Sequence, residues 1–401
     1  MLFALLLVLQ SPASCGDVTD CRTQALGAVA RADYEVFHDL AWRAVQKGKP
    51  NDPDLMFLLA RAQALSGRPG DALVMLGRIA DLGVATDAPT SEDFKFVRLL
   101  PGWPTLEARL TGNPAPSAPL APPAPSAPLA SSAPFETLSF DATGVDPVGL
   151  AHDAVSRRFV LGDRKAHRLI VIDEVSHNVV NYVSAALAGL YDDLTGFTID
   201  ARRGDLWVVS AKGEAAASAS VLHKLQLVSG RTLIEARAPE AAVPVRFVGV
   251  TVTPDGTVYA LDAMDSRIFR LRPGSRALES LMRLDARRTT ALTAADDRTL
   301  YVAAEKGLVR VDVSARTAAA VTSAEALTNF ESLAWRAGAL IGVERVADSS
   351  LVVRVPLDPS GVRAQPRHVL AASPGATVGA LGGDAYYYVA GQGVIRRIAL
   401  R

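Results

Sequence analysis

The sequence predicts a multidomain chain: an all-β ring of six four-stranded blades, the last blade closed by an N-terminal strand, behind a small all-α helical unit. Three observations lead there. Over residues 135–401, six segments share one order: a small residue within an apolar start, a turn, a strand, a turn, a strand and a weaker strand. They recur at roughly 41 to 53 residues, the period of propeller blades. Residues 22–111 are instead rich in Ala and Leu at three- and four-residue steps. Residues 113–134 separate the two patterns with Pro, Ala and Ser.

The chain opens on MLFALLLVLQSPASC. This reads as the apolar core of an export signal, residues 1–13, with a small-x-small cleavage site ending at Ala13. The run is too short to span a bilayer in the mature chain, so a secreted or periplasmic location is expected. The positive charge that usually precedes such a core is missing, which points to a start further upstream. Cys15 follows small residues as in a lipoprotein signal, but Pro12 stands where that signal takes Leu, which favours simple cleavage. Cys15 and Cys21 are the only cysteines and are placed to close a small disulfide loop. The 401 residues leave room for two or three domains, and 42 basic residues balance 42 acidic ones. That balance gives no reason to expect nucleic acid as a partner.

Within the helical part, DPDLMFLLARAQALSGRPGDALVMLGRIADLG is broken at Gly67 and at Pro69-Gly70, so it reads as a helical hairpin. It resembles a tetratricopeptide repeat over residues 22–111. Ala60 and Ala72 take that family's small positions, Gly67 its turn glycine and Leu76 its large apolar position. Gln63 stands where the repeat usually has Tyr. The resemblance implies a groove for a peptide or protein partner. The segment 113–134 repeats the octapeptide PAPSAPLA and is expected to act as an extended spacer.

The blade starts are PVGLAHD, LTGFTID, FVGVTVT, TTALTAA, ESLAWRA and TVGALGG. Each is followed by a β-rich run such as RRFVLGD, GTVYALDA or DAYYYVAG. The last unit runs out of chain after its third strand. FETLSF, residues 135–140, supplies a spare strand that closes the ring and removes its open edges. Tyr386 to Tyr388 fall in a strand and are expected to pack the core.

No catalytic residue is predicted. No G-x-S-x-G elbow or phosphate-cradling glycine loop occurs, and the six histidines are scattered. His167 and His223 are read as exposed residues at strand starts. The loops leading into each first strand and those joining the second to the third share one face. That face would present Asp192, Asp193, Arg246, Arg288, Asn329 and Glu331 around the channel as ligand-binding candidates. Asp163, Arg164, Asp262, Asp265, Glu344 and Arg345 would sit further out. Mixed charge suits a protein or peptide partner or a small polar ligand.

SRIFRL and HRLIVI, each after a D-x-x-x turn, are similar to NHL repeats. The blade FVGVTVTPDGTVYALDAMDSRIFRL is similar to the gluconolactonase and senescence-marker family. That resemblance implies a divalent metal, Ca²⁺ or Zn²⁺, held in the channel by a Glu, two Asn and an Asp. Those positions fall on Val148, Leu194, Val248 and near Thr290, with Glu331 as one matching carboxylate. No metal or other cofactor is therefore predicted. An exported non-catalytic binding or scaffold protein is expected first, and a metal-dependent lactonase- or esterase-like hydrolase is the alternative.

Overall fold

A computed structural model describes residues 15–49, 51–100, 102–111, 136–174, 177–191, 193–213, 218–227, 230–239, 244–347, 349–391 and 393–400. The export signal, the spacer 113–134, Phe135 and Asp192 lie outside the described residues. The chain divides into two compact units, Met1–Pro122 and Pro123–Arg401.

The first unit is helical: α1 Val18–Ala30, α2 Tyr34–Lys47, α3 Pro53–Leu65, α4 Pro69–Asp81 and α5 Trp103–Thr111. Asp17, Asp33 and Asp52 cap the first three helices by accepting backbone N–H bonds, and Pro53 and Pro69 stand in first turns. Gly67 takes a φ of +77°, which lets the chain reverse between α3 and α4. Ala60, Ala72 and Leu76 are fully buried where these two helices meet. Cys15 and Cys21 are joined by a disulfide. Among the described residues, no helix is long and apolar enough to cross a membrane.

The second unit is a six-bladed β-propeller, each blade a four-stranded antiparallel sheet. The innermost strands are β2 (Pro147–Asp153), β6 (Asp193–Asp200), β10 (Phe247–Val252), β14 (Ala291–Ala294), β18 (Phe330–Arg336) and β22 (Gly379–Gly382). Each touches the next, and β22 touches β2, so the ring is closed. Close approach of a side chain explains the glycine in some of the blade starts. Gly149 is the clearest case: its φ is +74°, and the Phe197 ring lies 2.7 Å from where a Cβ would sit.

The second strands, such as β11 (Val258–Asp262) and β23 (Ala385–Val389), are buried along their whole length. Neighbouring blades cover both their faces, so their sequences read as continuous apolar runs. Tyr386, Tyr387 and Tyr388 are core residues accordingly. The fourth strands face water, and β17 (Thr317–Ala320) is exposed throughout.

Closure uses the N-terminal strand. In blade six, β1 (Thr137–Ser139) pairs antiparallel with β24 (Val394–Ala399), placing Leu138 opposite Ile395. Leu138 is fully buried in a core shared with Phe159, Leu161, Tyr387 and Ile395, while Thr137 and Ser139 face out. The two ends of the domain therefore meet within one sheet.

Buried carboxylates fix the upper corners of the blades. Asp262 Oδ1 accepts from the N–H of Arg246 (2.9 Å) and of Met264 (3.0 Å), and Oδ2 faces Arg267 Nε at 3.4 Å. Asp163 does the same in blade one, with Asp146, Ala166 and Arg168. Glu344, packed against Arg367, is the counterpart in blade five. All three were expected on the outer rim and are buried instead. They satisfy backbone donors where the chain turns in, which an exposed rim residue does not do.

Candidate functional site

Charged side chains ring one end of the channel. Backbone bonds from Arg164 N to Asp146 O (2.9 Å) and from Arg345 N to Asn329 O (3.0 Å) tie each second-to-third-strand loop to the lead into its first strand. Both kinds of loop therefore form one face, and the channel beneath it encloses about 1400 Å³. Asp146, Arg164, Lys165, Asp193, Arg246, Glu331 and Arg345 line this mouth.

The charges are organised in pairs. Arg246 binds Asp193, and Arg164 stands 3.9 Å from both Asp193 and Asp146. Across the mouth, Arg345 Nε donates to Glu331 Oε1 at 2.7 Å. The other oxygen, Oε2, is buried without a hydrogen-bond partner. Of the sequence-predicted residues, the structure brings Asp193, Arg246 and Glu331 to the channel. Arg288 does not line it: its side chain is 82% exposed and faces Glu305 at 3.6 Å. Asn329 does not line it either; it takes a φ of +58° and offers its carbonyl to Arg345. Arg164 and Arg345, expected further out, reach the mouth.

Below the mouth the walls are uncharged. Val248, Leu333, Ala334 and Leu381 are partly exposed along the shaft, and Trp335 stands near its far end, stacked on Tyr301 at 5.2 Å. Ser332 Oγ lies 3.2 Å from Tyr386 Oη. Burial pushes the Tyr386 hydroxyl up to about 12, so it keeps its proton and cannot serve as a base at neutral pH.

A metal of the kind implied by the resemblance needs several oxygen or nitrogen donors converging on one point. The channel walls do not supply them. Val148 and Val248 are aliphatic, Thr290 Oγ1 is spent on the Phe330 carbonyl at 2.6 Å, and Glu331 is held by Arg345. Leu194 is fully buried away from the channel, and its neighbour Thr195 faces in, because the strand bulges between Leu194 and Gly196. Thr195 in turn donates to the Val209 carbonyl at 3.1 Å. Among the described residues, no group of three or more His, Cys, Asp or Glu is arranged to hold a metal ion.

The histidines lie apart from the mouth. His152 contacts Glu174 at 3.3 Å between the rings of Phe159 and Tyr387. His223 was expected to be exposed but is fully buried in the middle of β8 (Ala219–Gln226), 3.6 Å from Glu235. Burial, with help from Arg237, lowers the His223 pKa against the opposing pull of Glu235. The unfolded chain therefore binds the proton more readily, and the stability contributed by neutral His223 is lost as pH falls below about 6.5. Glu344, pushed up by burial, acts in the opposite sense, so the test is a difference. Between pH 7 and pH 5, the unfolding midpoint of His223→Gln should fall less than that of the parent, the slope difference reaching at most about 1.4 kcal/mol per pH unit. Parallel profiles would contradict this.

No family model matches the chain, and no curated protein matches it. Solved structures do. A candidate gluconolactonase superposes with a TM-score of 0.50 at 15% identity, covering 66% of this chain and 93% of that one. The major Malassezia sympodialis allergen Mala s 1 gives a TM-score of 0.50 at 14% identity, covering 66% and 96%. At these identities the likeness is one of fold: this chain carries the six-bladed propeller that those proteins also adopt.

Proposed function

We propose that the chain is an exported, non-catalytic binding protein. Its propeller takes a polar group of a ligand or partner at the charged mouth, and its helical unit offers a second docking surface. One observation carries this reading: the carboxylates at the mouth are engaged by arginines, and among the described residues no nucleophile stands beside a base there. Such a mouth recognises charge but has no group poised to move a proton. The Cys15–Cys21 disulfide supports an oxidising compartment. The close pairing of α3 and α4 over Ala60 and Ala72 supports a repeat-like helical surface.

A metal-dependent lactonase- or esterase-like hydrolase is the second reading. It is favoured by the fold likeness to a candidate gluconolactonase and by the presence of Glu331 on the channel. The two separate in one experiment. The purified chain, with and without added Ca²⁺ or Zn²⁺, is assayed on a panel of sugar lactones and aryl esters beside Glu331→Gln. The binding reading expects rates equal to the buffer background in every case. Turnover that needs both the metal and Glu331 would replace it with the hydrolase.

A further inference from the structure

We propose that the propeller channel holds a small amphiphile, with an acidic head at the charged mouth and an apolar body running down the shaft toward Trp335. This rests on the reading of the channel as a binding site and names the class of ligand.

The shaft carries the first part of the argument. On β18, residues 332–335 between Glu331 and Arg336 are Ser, Leu, Ala and Trp, each partly exposed. Facing strands continue the pattern with Val248 and Val252 on β10, and Ala380 and Leu381 on β22. No ionisable side chain occurs along 332–335, 248–252 or 378–382. Apolar side chains, interspersed with threonines such as Thr195, Thr290 and Thr293, thus line a channel of about 1400 Å³. Displacing water from such walls favours an apolar guest. Phe197 does not obstruct it, because Gly149 lets the ring lie against the wall, only 9% exposed.

The mouth supplies the second part. Two of its carboxylates are held closely, Asp193 by Arg246 and Glu331, through Oε1, by Arg345, while Asp146 is half-exposed. Arg164 is looser: its side chain is 52% exposed, and its contacts to Asp146 and Asp193 are both 3.9 Å, beyond hydrogen-bond length. Lys165 beside it is exposed. Among the described residues lining the mouth, four cationic side chains (Arg164, Lys165, Arg246 and Arg345) face three carboxylates (Asp146, Asp193 and Glu331). An anionic head is therefore preferred over a cationic one.

The test titrates the full chain with hexanoate, octanoate and decanoate, and with decan-1-ol and decylammonium as head-group controls. Heat and tryptophan fluorescence are both read. The dissociation constant should fall with chain length, by up to about fourfold per methylene taken from water. Decanoate should bind at least tenfold more tightly than decan-1-ol or decylammonium. Ala380→Trp, which fills the shaft, should weaken decanoate more than tenfold. Arg164→Ser, at an exposed position, should weaken decanoate and leave decan-1-ol unchanged. Trp335→Phe should remove the fluorescence change while heat is still released. No saturable binding of millimolar decanoate, affinity independent of chain length, or preference for decylammonium would overturn the proposal. Metal-dependent hydrolysis would sink the non-catalytic reading and leave this ligand class standing, so the two failures are distinguishable.

Discussion

Removal of residues 135–140 should unfold the propeller or lower its unfolding midpoint by about 15 °C or more, at roughly 2–4 °C per kcal/mol for a domain of this size. The deletion takes away Leu138, fully buried, and Phe140, 9% exposed. Burying two such side chains is worth about 3–6 kcal/mol. It also removes the ladder with β24 and the flanking bonds from Phe140 N to Gly393 O (2.8 Å) and from Arg397 N to Glu136 O (3.0 Å). Each backbone bond contributes about 1 kcal/mol net. The total is comparable to the whole stability of an ordinary domain, about 5–15 kcal/mol. The loss is also topological, because this strand is where the ends of the ring meet, and without it β24 is left as an open edge. Deleting residues 114–119 of the proline-rich segment is the control and should leave the propeller midpoint unchanged. Equal midpoints for the two deletions would mean that the ring does not depend on this closure.

That closure is readable in the sequence, and the reason is arithmetic. The sixth unit ends after three strands, so a fourth had to come from elsewhere, and FETLSF is the strand-like run ahead of the first blade. The blade starts were readable because a small residue stands in the same place each time. Fourth strands were faint because each buries at most one side chain: Thr317–Ala320 shows no apolar alternation when all four residues face water.

The mouth was only partly readable. Asp193, Arg246 and Glu331 could be placed because they lead directly into innermost strands. Arg164 and Arg345 were put too far out because the length of an arginine side chain, which reaches back over the mouth, does not appear in a strand pattern. At Leu194 and Thr195 the bulge shifts the pairing by one residue and so exchanges which side chain faces the channel. The same bulge recurs at the small residue of other blade starts, around Gly149, Gly249 and Ser332, so aligning the starts on that residue puts Thr195, and not Leu194, beside Val148, Val248 and Glu331. His223 reads as an exposed residue at a strand start, but the strand begins four residues earlier, at Ala219, and carries it into the interior.

Asp163 and Asp262 did leave a mark. GDRKAHR and LDAMDSR share an Asp and, five residues on, an Arg, at the same corner of blades one and three. An acidic residue beside a turn is ordinarily solvated, which hid the significance of the pair. Buried, Asp262 is expected to have the largest effect of any single side chain at these corners. Asp262→Ala leaves the Arg246 and Met264 N–H groups without their acceptor and takes one of two carboxylates from Arg267, which keeps Asp265 at 3.4 Å and the Pro244 carbonyl at 3.3 Å. Each N–H group that loses its acceptor costs about 1–3 kcal/mol, so the two together should cost about 2–6 kcal/mol. Asp262→Asn keeps an oxygen for both N–H groups and gives up only the charge, so it should cost about 1–2 kcal/mol. Chemical denaturation of the two variants checks this ordering. If Ala and Asn were equally mild, the corner would be held by the strand ladder alone. If Asn were as damaging as Ala, the Arg267 ion pair, and not the backbone bonds, would be what the carboxylate contributes.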